Sequence, residues 1–87
     1  MNTTITQSNR LLWSTPQLTK GKEHLQHAGQ QLWRVLDARD AIRGHLRVVQ
    51  DPRGIRYRAE RLSPATRTFR IVGEFWNADD AVAALRY

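Results

Sequence analysis

From Leu32 onward the chain alternates apolar and polar residues with a period of two, the signature of strands that bury one face. The alternation divides into four strands, at 32–36, 42–50, 55–62 and 67–72. Each break has a chemical reason. Asp37-Ala38-Arg39-Asp40 is a polar turn, and Asp51-Pro52-Arg53-Gly54 presets φ at Pro52 and ends on a glycine suited to the last turn position. Ser63-Pro64-Ala65-Thr66 contains a proline that cannot donate to a ladder. Beyond Trp76 the pattern changes: Asn77 suits an N-cap, Asp79 and Asp80 suit the positive end of a helix, and Asp80 holds the capping-box position. Ala81, Val82, Ala84 and Leu85 then form an apolar stripe. The expected fold is α+β: an antiparallel three- to four-stranded β-meander packed on one C-terminal α-helix, over residues 31–87.

The first thirty residues are rich in Thr, Gln, Ser and Asn, with apolar residues only scattered among them. So little apolar surface does not offset the entropy of ordering, so residues 1–30 are expected to be a flexible polar tail. A short helix over 22–27, ended near Gly29, is the one element expected there. Leu11-Leu12-Trp13 stands out as a segment that either pins the tail to the domain, touches a partner or is an incidental exposed patch, and the sequence leaves these open. The first eight residues carry no basic stretch followed by an apolar run, and no segment reaches bilayer length. No membrane partner is expected. The absence of cysteine removes disulfides, thiolate zinc sites and a cysteine nucleophile, and makes a reducing cytoplasm the expected location.

Strand parity separates two faces. Ile42, Gly44, Leu46, Val48, Ile55, Tyr57, Ala59, Phe69 and Ile71 make one, a core for the helix to cover. The other carries Arg43, His45, Arg47, Arg56, Arg58, Glu60, Thr68 and Arg70: five arginines and a single acid. Like charges placed cross-strand repel, so this face reads as a basic platform for a polyanion. The wider charge pattern agrees. Residues 34–70 hold ten arginines against four acids, a local net of +6, within a chain whose formal net charge is +6. Codon bias in a genome rich in G and C would also enrich arginine, and composition alone leaves both readings open. Arginine's planar fork reaches phosphate or guanine through two hydrogen bonds, and a β-ribbon fits the DNA major groove.

Gly54-Ile55-Arg56-Tyr57-Arg58-Ala59-Glu60-Arg61, then Thr68-Phe69-Arg70, then a helix with Ala81, Ala84 and Leu85, resembles the N-terminal arm-site-binding domains of phage and transposon tyrosine integrases. The resemblance spans residues 42–87. It implies a three-stranded sheet set into the major groove with a helix behind it, contacting DNA through Arg43, Arg47, Arg56, Arg58 and Arg70. This chain departs from that pattern in the added strand at 32–36, in Gly73-Glu74-Phe75-Trp76 before the helix, and in lacking a recombinase domain.

The expected function is a non-enzymatic nucleic-acid-binding module, DNA before RNA, serving as an accessory or regulatory factor of a mobile element. Its site would be Arg43, His45, Arg47, Arg56, Arg58, Thr68 and Arg70, with no cofactor and no metal. Two alternatives stay open. One is an adaptor for an acidic protein, anchored by Leu11, Leu12, Trp13, Trp33 and Trp76. The other is a small metal-independent ribonuclease of the toxin type, using His45, Arg47, Arg58 and Tyr87 for binding and proton transfer. Trp33, Phe75 and Trp76 serve either base stacking or packing. His24 and His27 would share one face of the short helix, without the further acid or cysteine a metal site needs. No glycine phosphate loop, paired carboxylates or Ser/His/Asp arrangement is present.

Overall fold

The computed structural model describes residues 15–86. Its strands are β1 (His24–Gly29), β2 (Leu32–Leu36), β3 (Ile42–Asp51), β4 (Gly54–Ser63) and β5 (Thr68–Phe75), followed by a helix, α1 (Ala78–Ala83). They form one five-stranded antiparallel meander in the order β1-β2-β3-β4-β5. The α+β class and the C-terminal helix match the sequence pattern, with one strand more than it indicated.

That additional strand overturns two expectations. β1 occupies part of the stretch expected to be a flexible tail, and it takes the place of the short helix over 22–27. Its composition is polar because only one of its faces meets the core, through Leu25. Leu18 also packs there, ahead of the strand. Leu11-Leu12-Trp13 lies outside the described residues.

The turns follow their chemistry. The Asp37 carboxylate accepts the amides of Arg39 and Ala41, closing the β2–β3 turn, while the Asp51 carboxylate accepts the amide of Arg53 across the Pro52-Arg53 loop. In the β4–β5 hairpin the Arg67 amide donates to the Ser63 carbonyl at 2.7 Å. Asn77 caps α1: its side-chain oxygen accepts the Asp80 amide at 2.8 Å, while its side-chain NH2, rather than the backbone amide a capping box would use, donates to the Asp80 carboxylate at 3.0 Å.

α1 lies across one face of the sheet, termed here the helix face. Val35, Leu46 and Ala59 of three adjacent strands are buried against Ala78, Ala81, Val82 and Leu85, with Tyr57 and Phe75 beside them. Gly44 makes this approach possible: a β-carbon there would run into the Glu60 carbonyl oxygen and stand within 3.2 Å of both Leu85 methyl carbons. Two arginines of the sheet end the helix. Arg61 donates to the C-cap Ala84 carbonyl at 2.9 Å, an acceptor that the last turn leaves open, and Arg43 donates to the Arg86 carbonyl of the segment beyond it at 2.8 Å.

Candidate nucleic-acid interface

The side of the sheet away from α1, the open face, differs from the expected platform because two β-bulges shift strand parity. At the first, Val35 pairs with Gly44 but Leu36 pairs with Ile42, so Arg43 is the extra residue. Its side chain turns to the helix face, and Ile42 moves from the expected core to the open face, where it is half exposed. At the second, Ala59 pairs with Gly73 but Glu60 pairs with Ile71, leaving Val72 as the extra residue. Phe69 and Ile71 thereby leave the core list for the open face, while Arg70 and Thr68 leave the platform and face the same side as Arg61. Of the seven expected site residues, His45, Arg47, Arg56 and Arg58 stay on the open face, and Arg43, Thr68 and Arg70 do not. Ile55 keeps its parity but lies exposed.

The remaining arginines are not bare. Arg47 holds Glu60, Nε to Oε2 at 2.9 Å with a longer second bond at 3.4 Å. Arg58 holds Glu74 at 2.8 Å, and Arg56 lies within 4.0 Å of both Asp51 and Glu74. Glu74 was missed as a neutralising acid because the apolar alternation stops at Val72; strand β5 runs on to Phe75 and carries Glu74 opposite Arg58. The open face therefore sets Arg34, Arg47, Arg56 and Arg58 against Asp51, Glu60 and Glu74. Arg34 alone among these arginines bonds no acid, meeting Gln26 instead at 3.3 Å. It borders a broad depression of about 700 Å³ shared with His24, Leu36 and Ile42.

Between the ion pairs stand rings. His45 stacks on Phe69, centroids 3.9 Å apart and planes within 12°. Burial pushes the His45 imidazole below its ordinary value, against the attraction of Glu60 and together with repulsion from Arg34 and Arg47, and so favours the neutral ring. Trp76 is 51% exposed, with the Arg56 guanidinium 4.7 Å and the Arg53 guanidinium 5.7 Å from its ring centre. Phe69 is 41% exposed. The other two candidate aromatics belong to the helix face. Trp33 is fully buried, and Phe75 packs on the core.

The paired histidines of the expected short helix separate on a strand. His24 lies on the open face within 3.0 Å of the Asp40 carboxylate, and His27 tilts against Trp33 on the helix face. Among the described residues no group of three His, Cys, Asp or Glu is placed to hold a metal ion, and no helix is long and apolar enough to cross a membrane. Tyr87, the fourth member of the ribonuclease candidate set, lies outside the described residues. No family model, curated protein or solved structure matches the chain.

Proposed function

We propose that this chain is a nucleic-acid-binding module that receives single-stranded nucleic acid on its open sheet face. The observation that carries the reading is the pair of exposed rings, Phe69 stacked on His45 and Trp76 under the guanidiniums of Arg53 and Arg56, on a face that no element of the described chain covers. Bases stack on such rings without regard to sequence, and Arg34 on the same face, which holds no acid, is available to the phosphate backbone. A duplex fits the geometry less well. Gripping its phosphates through Arg47, Arg56 and Arg58, as the integrase resemblance implies, requires each to leave a carboxylate it already holds, at the cost of an uncompensated acid.

Fluorescence anisotropy of the full chain with a labelled single-stranded DNA, the same sequence as RNA and the matching duplex tests this. The single strands bind more tightly than the duplex, and Phe69→Ala and Trp76→Ala each weaken them. Preference for the duplex would return the argument to groove binding. Absence of binding at low salt would sink both.

A second reading has its own observation. Leu62, Phe69 and Ile71 are 38%, 41% and 56% exposed and are neighbours on the open face beside the outer edge of β5. Apolar surface along an unpaired edge strand suits an extended segment of a protein partner. Retention of a protein from a nuclease-treated lysate by the wild-type chain, lost on Ile71→Lys, is the outcome expected of an adaptor.

A further inference from the structure

We infer that the β4–β5 hairpin end carries an anion site for a phosphate group, on the side of the sheet opposite the proposed stacking platform. The Val72 bulge creates it. By turning Arg70 to the helix face, the bulge sets it directly cross-strand from Arg61, a like-charge register pair. Such a pair is unfavourable unless something negative lies between its members. Nothing in the described chain supplies that charge. Residues 61–73 contain Arg61, Arg67 and Arg70 and no acid, and Arg70 has no hydrogen bond or ion pair among the described residues. Arg61 is partly used, one Nη donating to the Ala84 carbonyl at 2.9 Å, which fixes its guanidinium and leaves its other N–H groups available.

Beside these two side chains lies a cavity of about 330 Å³ lined by Arg61, Ser63, Thr66, Thr68 and Arg70, with Leu62 and Pro64 completing the wall. The lining suits an oxyanion. Arginine forks and hydroxyl donors are the side chains that hold phosphate, and Thr66 and Thr68 already hold each other at 2.7 Å with their hydroxyls. The volume is at the low end for a small-molecule pocket, enough for a phosphate group with part of whatever bears it. Elsewhere the contrast is clear: on the open face Arg47, Arg56 and Arg58 each meet a carboxylate, whereas Arg61 and Arg70 meet none. Two of the sheet's arginines without an acid partner are thus gathered at this hairpin, the others, Arg34 and Arg43, standing apart on β2 and β3 with an amide and a carbonyl as partners. Phosphate can arrive free, on a small molecule, or at the end of a nucleic-acid strand, and the chemistry recognised is the same.

The test is an amide-resolved NMR titration of the full chain with inorganic phosphate, against chloride at matched ionic strength. Shifts at Thr66, Arg67, Thr68 and Arg70 are expected to saturate in the millimolar range with phosphate and to stay small with chloride. Arg70→Ala, at an exposed edge position, is expected to keep the dispersed spectrum and weaken the phosphate response at least tenfold; Thr68→Val weakens it less. Shifts that grow linearly without saturating, that chloride reproduces, or that persist unchanged in Arg70→Ala would overturn the site. Adding a short oligonucleotide with and without a terminal phosphate identifies the source: competition only by the phosphorylated strand assigns strand ends, and no competition assigns free or small-molecule phosphate. The site does not depend on the open-face reading, whose signals are at Phe69 and Trp76 and whose loss would leave these four amides responding.

Discussion

Thr19 and Asp79, sixty positions apart, are joined by two hydrogen bonds: the Thr19 amide donates to Oδ1 at 2.9 Å and its hydroxyl to Oδ2 at 2.6 Å. The Lys20 amide adds a third at 3.0 Å. One carboxylate in the first turn of α1 thereby serves the segment that leads into β1 as well as the positive end of the helix. The Thr19 hydroxyl, followed by the two amides, holds the Asp79 carboxyl below its ordinary value of 3.8. A lowered carboxyl contributes stability that is present above the ordinary value and lost as pH falls through the folded one. Asp79→Asn is therefore expected to speed hydrogen exchange at the Thr19 and Lys20 amides toward that of open chain at neutral pH. In the wild type the same release appears only on acidification below pH 3.8. Unchanged exchange in the variant would show that Leu18, packed on the core, holds the segment by itself.

The approach of α1 to the sheet rests on Gly44 facing Leu85. Leu85 is buried among Val35, Leu46 and Ala59, so Leu85→Ala should cost about 2 to 4 kcal/mol, a large share of the stability of a domain this size. Gly44→Ala tests the same contact from the other side. Its methyl group has no room beside the Glu60 carbonyl, and the strand must shift at a cost of about 1 to 3 kcal/mol. Urea unfolding of both variants measures these costs. Losses below about 0.5 kcal/mol in both would mean that the helix does not bear on the sheet as described.

Much of this fold is legible in the sequence, and the part that is not has a physical cause. Strands β2 to β4, their turns and the Asn77 cap follow from alternation, proline and glycine placement and a capping side chain, all of which are local. The parity of Arg43 and Arg70 is not local. A bulge adds one residue to one strand, and the alternation on either side reads as an unbroken period although every side chain beyond it has changed face. The same cause hides Phe69 and Ile71 among core positions. β1 escaped for another reason: an edge strand needs only one side chain packed on the core, the partly buried Leu25, and backbone pairing with β2 supplies what its polar composition does not.

His45 gives the open face a pH dependence. Burial between Phe69 and Glu60 holds its pKa below the ordinary 6.5, so between the folded value and 6.5 the unfolded chain binds a proton that the folded chain does not. Stability consequently rises with pH through that window, is fully present above 6.5, and is lost as pH falls through the folded value. The NMR titration of His45 should show a midpoint below 6.5, and His45→Phe should flatten stability against pH in that range while keeping the stack on Phe69. A midpoint at or above 6.5 would mean that attraction by Glu60 outweighs burial.

The salt dependence of binding separates stacking from charge on the open face. Each phosphate neutralised on a single strand contributes about −0.7 to the slope of log affinity against log salt. If Arg47, Arg56 and Arg58 keep their carboxylates, only Arg34 of these open-face arginines is available to a bound strand, and the slope should be about −0.7. Were all four open-face arginines to meet phosphates, it would reach about −2.8. Trp76→Ala should lower affinity by about 5- to 150-fold, the worth of one stacked base, and leave the slope where it was, since losing a ring releases no counterion. Arg34→Ala should do the reverse, with a smaller loss of affinity and a slope shallower by about 0.7. Because Trp76 also lies over Arg56, a slope that steepens in Trp76→Ala would show the freed guanidinium moving to phosphate. A wild-type slope near −2.8 with no loss of affinity in Trp76→Ala would sink the stacking reading, because the arginines would then have left their acids and the rings would contribute nothing.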